Sequence, residues 1–248
     1  NWSPVETIYC IDSRQSLHLQ QTFEIAKQAH WLWENNQLFH AANGFISLKD
    51  GAMSTRKWRI VKLDALLDEA ESRAEKIILE KRDDINWQEL EKLRRVVWIW
   101  AIKYGYLKKN RELDVVFDWD EFMTFEWNRG PYIQSAYVRA RRILDKWDLP
   151  NTAAWKAIFE SEEEKNLVKR ISEYTGVLSE FTEKKYPHLI CKYCYNLTKD
   201  FNAFYNNIHI LNESDTEKKN MRMQLLELFS ETLADAFWLL GIDIPERM

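Results

Sequence analysis

Glycine is scarce in this 248-residue chain, at 6 residues, where ordinary usage is about 7%. No glycine-rich linker or low-complexity tract is present to separate flexible modules. Cysteines number 3, an odd and small count that argues against a disulfide framework and fits a reducing compartment. No apolar run reaches the roughly eighteen residues that would suggest a membrane span. The opening Asn1-Trp2-Ser3-Pro4 is unlike a signal peptide. A cytoplasmic protein with no membrane association is therefore expected. Positive net charge is lacking too: at −4 overall, composition does not announce a nucleic-acid binder, which needs a basic surface to displace counterions from phosphates.

What is present describes a soluble globular protein, with 46% hydrophobic and 30% charged residues and length for one large domain or two ordinary ones. The net charge conceals two compact basic groups, Arg56-Lys57-Trp58-Arg59 and Arg139-Ala140-Arg141-Arg142. Each is either a solvated face or part of a binding surface. Tryptophan is abundant, at 12.

The first sixty residues read as strand, helix, strand. Thr7-Ile8-Tyr9-Cys10-Ile11 is β-prone, a helical stretch carries Leu17, Phe23 and Ile25, and Gly44-Phe45-Ile46-Ser47-Leu48 is a second β-prone run ending at Asp50-Gly51. This is part of an α/β sheet. Cys10 is expected on a buried strand as a small hydrophobe.

From Leu63 the period becomes helical. Leu63, Leu66, Leu67, Ala70, Ala74, Ile77 and Ile78 form one stripe, with Asp64 as expected N-cap. Asn86 and Glu89 resemble a capping box for a helix with Leu90, Leu93, Val97 and Trp100 inward. A third helix is predicted over 132–147, stopping before Pro150. Ser161 and Glu164 make another capping box, followed at helical spacing by Leu167, Ile171, Tyr174, Leu178 and Phe181. Pro187 suits the first turn of the next helix, with Leu197, Phe201, Phe204 and Ile208. A loop is expected over 212–220, then a last helix with Met221, Leu225, Leu228 and Phe229, stopped by Gly241. The fold class is mainly α, a partial α/β unit of Rossmann type followed by a helical bundle.

The strongest local signal is Asp50-Gly51-Ala52-Met53-Ser54-Thr55-Arg56-Lys57, lying between a strand and a helix. Hydroxyls, backbone N–H groups and two cations on one loop can neutralise a polyphosphate as charge moves onto pyrophosphate. The same residue types also suit a basic surface loop.

Met53-Ser54-Thr55-Arg56-Lys57 resembles the KMSKS loop of class I aminoacyl-tRNA synthetases in its arginyl-tRNA synthetase form, KMSTRKG. Other segments resemble that family in order. Residues 9–18 are similar to the segment whose glutamine helps to recognise substrate arginine, here Gln15, with His18 beside it. Leu38-Phe39-His40-Ala41-Ala42-Asn43-Gly44-Phe45 is similar to the segment packing on the adenosine of ATP, which implicates His40, Gly44 and Phe45. Phe117-Asp118-Trp119-Asp120-Glu121 and 128–139 resemble the FDWDE and GNTGPYLQYAYAR segments, and 239–248 the usual carboxyl terminus.

The resemblance implies that residues 1–66 are the later part of a catalytic domain. Residues 67–130 would be a helical connecting region and 131–248 a DALR-type anticodon-binding bundle. It implies arginine, ATP with Mg2+ and tRNA-Arg as substrates, no resident protein metal, and a monomer. Met53, Ser54, Thr55, Arg56 and Lys57 would act on ATP. Tyr132, Gln134, Tyr137, Arg139, Phe201, Asn202 and Tyr205 would touch tRNA, through unstacked bases and phosphates.

The chain departs from the family pattern in places. No HIGH signature occurs, so the chain by itself is expected not to form arginyl-adenylate. Ala52 stands where the family often has lysine, and Trp58, Trp98, Trp100 and Trp127 stand at family glycines, with Trp2 and Trp33 as further cases. Replacing the smallest residue by the largest is expected to be costly. UGA codons translated as tryptophan, where the source reads glycine, would explain the deficit and the excess together. Other codons at 58, 98, 100 and 127 would refute this. The competing functional class is a tRNA-binding module without catalysis or a degenerate paralogue. A helical protein-interaction domain would leave the loop at 53–57 without a purpose. His188, Cys191 and Cys194 share a spacing of three, but no second ligand pair follows, and a structural role is expected over zinc.

Overall fold

The computed structural model describes residues 4–32, 36–48, 51–52, 63–81, 84–118, 130–147 and 158–243. Two compact units emerge, the first from 1–61 with 109–118 and the second from 62–108 with 119–248.

The first unit runs β1 (Glu6–Asp12), a 3-10 turn (Ser13–Gln15), α1 (Ser16–Gln28), β2 (Gln37–Asn43), β3 (Ile46–Leu48), β4 (Gly51–Ala52) and β5 (Val115–Phe117). β1 and β2 pair in parallel, from Glu6 opposite Gln37 to Asp12 opposite Asn43, with α1 in the connection between them. β3 pairs antiparallel with β4 and parallel with β5. β-branched and aromatic residues favour this pleated backbone, and Tyr9 of β1 meets Phe23 of α1 with ring centroids 5.0 Å apart. Cys10 is exposed, which corrects the buried placement. The reason is the period of two: Tyr9 and Ile11 turn toward cover while Ile8 and Cys10 turn to solvent. β5 lies within the stretch expected to be a helical connecting region, and Val115-Val116-Phe117 joins the sheet beside β3.

In the second unit, α2 (Leu63–Lys81) and α3 (Trp87–Leu107) pack antiparallel: Arg94 bonds Glu75 at 3.0 Å, and the Trp98 indole donates to Glu71 at 3.0 Å. Ala74, Ile78, Leu90 and Leu93 fill the seam. Asp64 lies inside the first turn of α2, not before it, so it complements the helix dipole without being the N-cap. Asn86 caps α3 by accepting the Glu89 N–H. Trp100 is fully buried against Tyr104 and Phe237, and its indole N–H has no partner. The core closes around this ring at the cost of an unsatisfied donor.

The larger core joins α3 to α4 (Gly130–Leu144), α5 (Glu162–Ser172), α6 (Tyr174–Lys184), α7 (Pro187–Asn207) and α8 (Thr216–Leu239). Ser161 and Glu164 form the expected capping box. The single helix expected beyond it breaks at Glu173 into α5 and α6. Pro187 opens α7 at its first turn, where the missing N–H costs nothing. Asp215 accepts the Glu217 and Lys218 N–H groups, so α8 starts inside the stretch expected as a loop. Gly241, at φ +64, ends α8: its N–H bonds the Trp238 carbonyl and that of Ile242 bonds the Phe237 carbonyl, both at 2.9 Å. This double closure needs a left-handed residue.

Candidate functional site

In the first unit, the carboxyl ends of β1 and β2 carry the residues of interest, the edge where open α/β sheets place ligands. Asp12 ends β1 and caps the 3-10 turn by accepting the Arg14 N–H at 2.8 Å. Its carboxylate also takes two bonds from the Arg14 guanidinium, at 2.9 and 2.6 Å. These hydrogen bonds from the Arg14 side chain and then its backbone N–H hold the Asp12 carboxyl down to about 2. Gln15 closes the turn and is exposed, as is His18 one turn into α1.

The Arg14 guanidinium lies 4.7 Å over the Phe45 ring, which ties the Gln15 turn to the segment after β2. Phe45 donates its N–H to Asp114 at 2.7 Å and accepts from Val115 at 2.8 Å. Gly44 is buried and donates to the Arg111 carbonyl at 2.6 Å, while the Arg111 side chain donates to the Ala42 carbonyl at 2.6 Å. A Cβ on Gly44 would collide with the Leu113 carbonyl, so only glycine allows this approach. His40 bonds the Ile11 carbonyl through Nε2 at 3.0 Å, and that nitrogen therefore links β2 to β1. Arg14 thus links the turn that carries Gln15 to Phe45, the residue after Gly44. Met53, Ser54, Thr55, Arg56 and Lys57 lie outside the described residues, as do Trp2, Trp33, Trp58 and Trp127.

In the second unit, Arg139 of α4 donates to Asn202 of α7 at 3.0 Å and lies 4.8 Å over the exposed ring of Tyr205. A surface cavity of about 410 Å3 opens beside them, lined also by Ser135, Arg142, Lys146 and Leu211. Cations beside an aromatic face are a chemistry suited to phosphates and unstacked bases. Tyr132 and Tyr137 are half-buried against the bundle core.

Two expected tRNA contacts require correction. Phe201 is fully buried, stacked on Phe229 with ring centroids 4.1 Å apart, because it shares the inward stripe of α7 with Leu197 and Phe204. Gln134 is also fully buried, and neither its amide nitrogen nor its oxygen has a partner. Neither side chain has surface to offer an RNA. Arg14, Arg111, Asp114 and Lys146 were missed as site residues, and Arg142 stood out only as part of its basic group. Arg14 adjoins Gln15 within the segment 9–18, whereas the hydrogen bonding of 111–114 to 42–45 leaves no periodic signal.

Cys191 and Cys194 are fully buried in α7, and burial pushes the Cys191 thiol up to about 12. Among the described residues no cluster of histidine, cysteine and carboxylates could hold a metal, and no helix is long and apolar enough to cross a membrane.

Comparison with known proteins connects the two units. Residues 5–119 match the family of class I (R) tRNA synthetase catalytic domains, and 133–248 match the DALR anticodon binding domain. The chain is 37% identical to an arginine–tRNA ligase of Proteus mirabilis and 38% to one of an Enterobacter species, over 97% of its length in each case. It spans only 42% of the length of either relative. Among solved structures it resembles arginyl-tRNA synthetase from Plasmodium falciparum, with TM-score 0.82 at 25% identity, covering 99% of this chain and 42% of that one. It also resembles the Thermus thermophilus arginyl-tRNA synthetase, with TM-score 0.79 at 27% identity, covering 98% and 41%. From the sheet edge to the helical bundle, the chain belongs to the arginyl-tRNA synthetase family of class I tRNA synthetases.

Proposed function

We propose that this chain takes part in the ATP-dependent attachment of arginine to tRNA-Arg. The observation that carries the reading is collinearity: a catalytic-domain match and an anticodon-domain match follow one another along this chain, which aligns over 97% of its length with an arginine–tRNA ligase. Residues 1–66 would contribute to the catalytic domain, 67–130 would connect, and 131–248 would bind tRNA. In this reading the chain works as a cytoplasmic monomer.

Gln15 takes part of the substrate arginine at the carboxyl edge of the sheet, with Asp12 and Arg14 fixing its turn. Gly44 and Phe45 present backbone and ring to the adenosine of ATP, which enters as its Mg2+ complex. His18 and His40 flank this region. The loop of Met53, Ser54, Thr55, Arg56 and Lys57 neutralises the triphosphate as negative charge builds on the departing pyrophosphate. Arg139 and Tyr205 meet unstacked bases of the tRNA, Asn202 holds Arg139 in place, and Tyr132 and Tyr137 border the same surface.

The 248 residues contain no HIGH tetrapeptide, and we propose that this polypeptide alone binds tRNA-Arg without making arginyl-adenylate. Arginine-dependent exchange between ATP and pyrophosphate tests this. Background exchange together with tRNA-Arg binding supports the reading. Exchange above background would show a self-sufficient active site, and failure to bind tRNA-Arg would remove the assigned role of residues 131–248.

A further inference from the structure

The carboxyl-terminal half of α8 turns an apolar strip to solvent. From Leu228 to the helix end, the exposed positions are Leu228, Glu231, Asp235, Trp238 and Leu239. At 3.6 residues per turn they fall within an arc of about 100°, on a strip about 16 Å long. Trp238 is 75% exposed and Leu228 40%. The adjacent Phe237 packs inward on Trp100, which leaves Trp238 pointing to water.

Three carboxylates follow the same strip: Glu227 at its half-buried margin, then Glu231 and Asp235, at intervals of four residues. Like charges at this spacing repel along a helix. Elsewhere the helices place a cation there, as in Glu69 with Arg73 and Glu180 with Lys184. Among the described residues no cation pairs with Glu227, Glu231 or Asp235. Asp235 accepts the Tyr174 hydroxyl of α6 at 2.6 Å, which brings no counter-charge, and it stands near the negative end of the helix dipole. At the helix end, Lys103 donates to the Gly241 carbonyl instead. α8 thus carries a self-repelling row beside an exposed indole, and its own packing uses neither.

The charge selects among possible occupants. Carboxylates repel the phosphates of a nucleic acid and the headgroups of an anionic membrane. A second copy of this chain, related by a two-fold axis, would lay one acidic row on the other. A helix with lysine or arginine flanking an apolar stripe relieves the repulsion and covers the ring together, by the helix-on-helix mode of recognition.

We propose that the outer face of α8 docks a basic amphipathic helix of another protein. The partner's apolar stripe covers Leu228, Trp238 and Leu239, and its lysines or arginines lie along Glu227, Glu231 and Asp235. The strip matches a helix of about 11 residues. This inference stands apart from the tRNA reading, because it uses neither Arg139 nor the cavity beside it.

The experiment titrates the full chain with two synthetic helical peptides of about 18 residues that share one leucine stripe and differ in their flanks, lysine in one and glutamate in the other. At about 0.05 M salt the lysine peptide should bind roughly tenfold or more tightly than the glutamate peptide, and the gap should narrow at about 0.3 M. With the lysine peptide bound, amide exchange should slow along α8 from Leu228 onward. Trp238→Ala should weaken that peptide about tenfold or more, and Trp238→Phe, which keeps a ring, should weaken it less. Glu231→Gln combined with Asp235→Asn should weaken it about three- to tenfold at low salt and flatten its salt dependence. Equal binding of the two peptides would overturn the proposal. Unchanged affinity in a folded Trp238→Ala chain would do the same, as would slowed exchange confined to another face. Dimerisation of the wild-type chain that Trp238→Ala abolishes would assign the face to a second copy, and weaker tRNA-Arg binding by that variant would assign it to RNA. Either result overturns the proposal.

Discussion

Replacing Arg222 by methionine removes one charge from a buried pair while keeping most of the side chain's length. Glu164 is 1% exposed. One of its oxygens accepts the Glu160 and Ser161 N–H groups at 2.9 and 3.0 Å, and the other accepts Arg222 Nε at 2.7 Å. Arg222 also reaches Glu213 at 2.6 Å, which joins the start of α5 to α8 and the loop before it. Burial pushes the Glu164 carboxyl up, but the Ser161 N–H, Arg222 and the Glu160 N–H together outweigh it and hold the group below its ordinary value of 4.5. Without Arg222 the carboxylate stays buried with two N–H donors and no counter-charge. The expected loss is about 3–5 kcal/mol, typical of breaking a buried pair by removing one partner. Glu164→Gln removes the charge but keeps an acceptor for the N–H groups, and should cost about 1–3 kcal/mol.

The pH dependence has a definite sign. A carboxyl lowered in the folded state contributes its stability in full above the unfolded value, and loses it as pH falls through the folded value. Wild-type stability should therefore decline below about pH 4.5 more steeply than that of Glu164→Gln. Urea unfolding at pH 7 and pH 3.5, followed by far-ultraviolet circular dichroism, measures both effects. An Arg222→Met cost below about 1 kcal/mol, or an undiminished acid dependence in Glu164→Gln, would refute the reasoning.

Three further outcomes follow from single positions. Gly241→Ala forces a side chain into the left-handed region and should cost about 1–2 kcal/mol in the same urea assay, and no loss would deny the backbone a role in ending α8. Gly44→Ala should speed amide exchange at Gly44, Phe45 and Val115, because a Cβ meets the Leu113 carbonyl, and unchanged protection would show that the contact is not needed. A thiol reagent at neutral pH should label exposed Cys10 quickly, and Cys191 and Cys194 only on unfolding. Equal rates for all three would contradict the packing of α7.

Legibility followed periodicity. The helices announced themselves where a stripe, a cap and a stop coincided, as with Ser161, Glu164, Pro187 and Gly241. β5 is three residues long and draws its stability from pairing with β3 far away in sequence, so nothing local marked it. The break at Glu173 was hidden because α5 and α6 continue the same apolar spacing across it. Segment resemblance identified Gln15, Arg139 and Tyr205 as candidates, but it could not separate Phe201 and Gln134, which lie inward, from neighbours on the same helices that face solvent. Only packing decides that, because a family segment carries core and surface residues together. Asp114 became visible through geometry alone, on the Phe45 N–H, and geometry gave Arg14, a neighbour of Gln15 in sequence, its place over the Phe45 ring.

Whether the second unit reads a particular tRNA through the groove containing Arg139 can be measured directly. At about 0.1 M salt, where nonspecific phosphate attraction is already weakened, the chain should bind tRNA-Arg roughly tenfold or more tightly than the same tRNA with its anticodon exchanged. Arg139→Ala should erase the difference. Equal affinity for the two RNAs, falling in parallel as salt is raised, would contradict the claim.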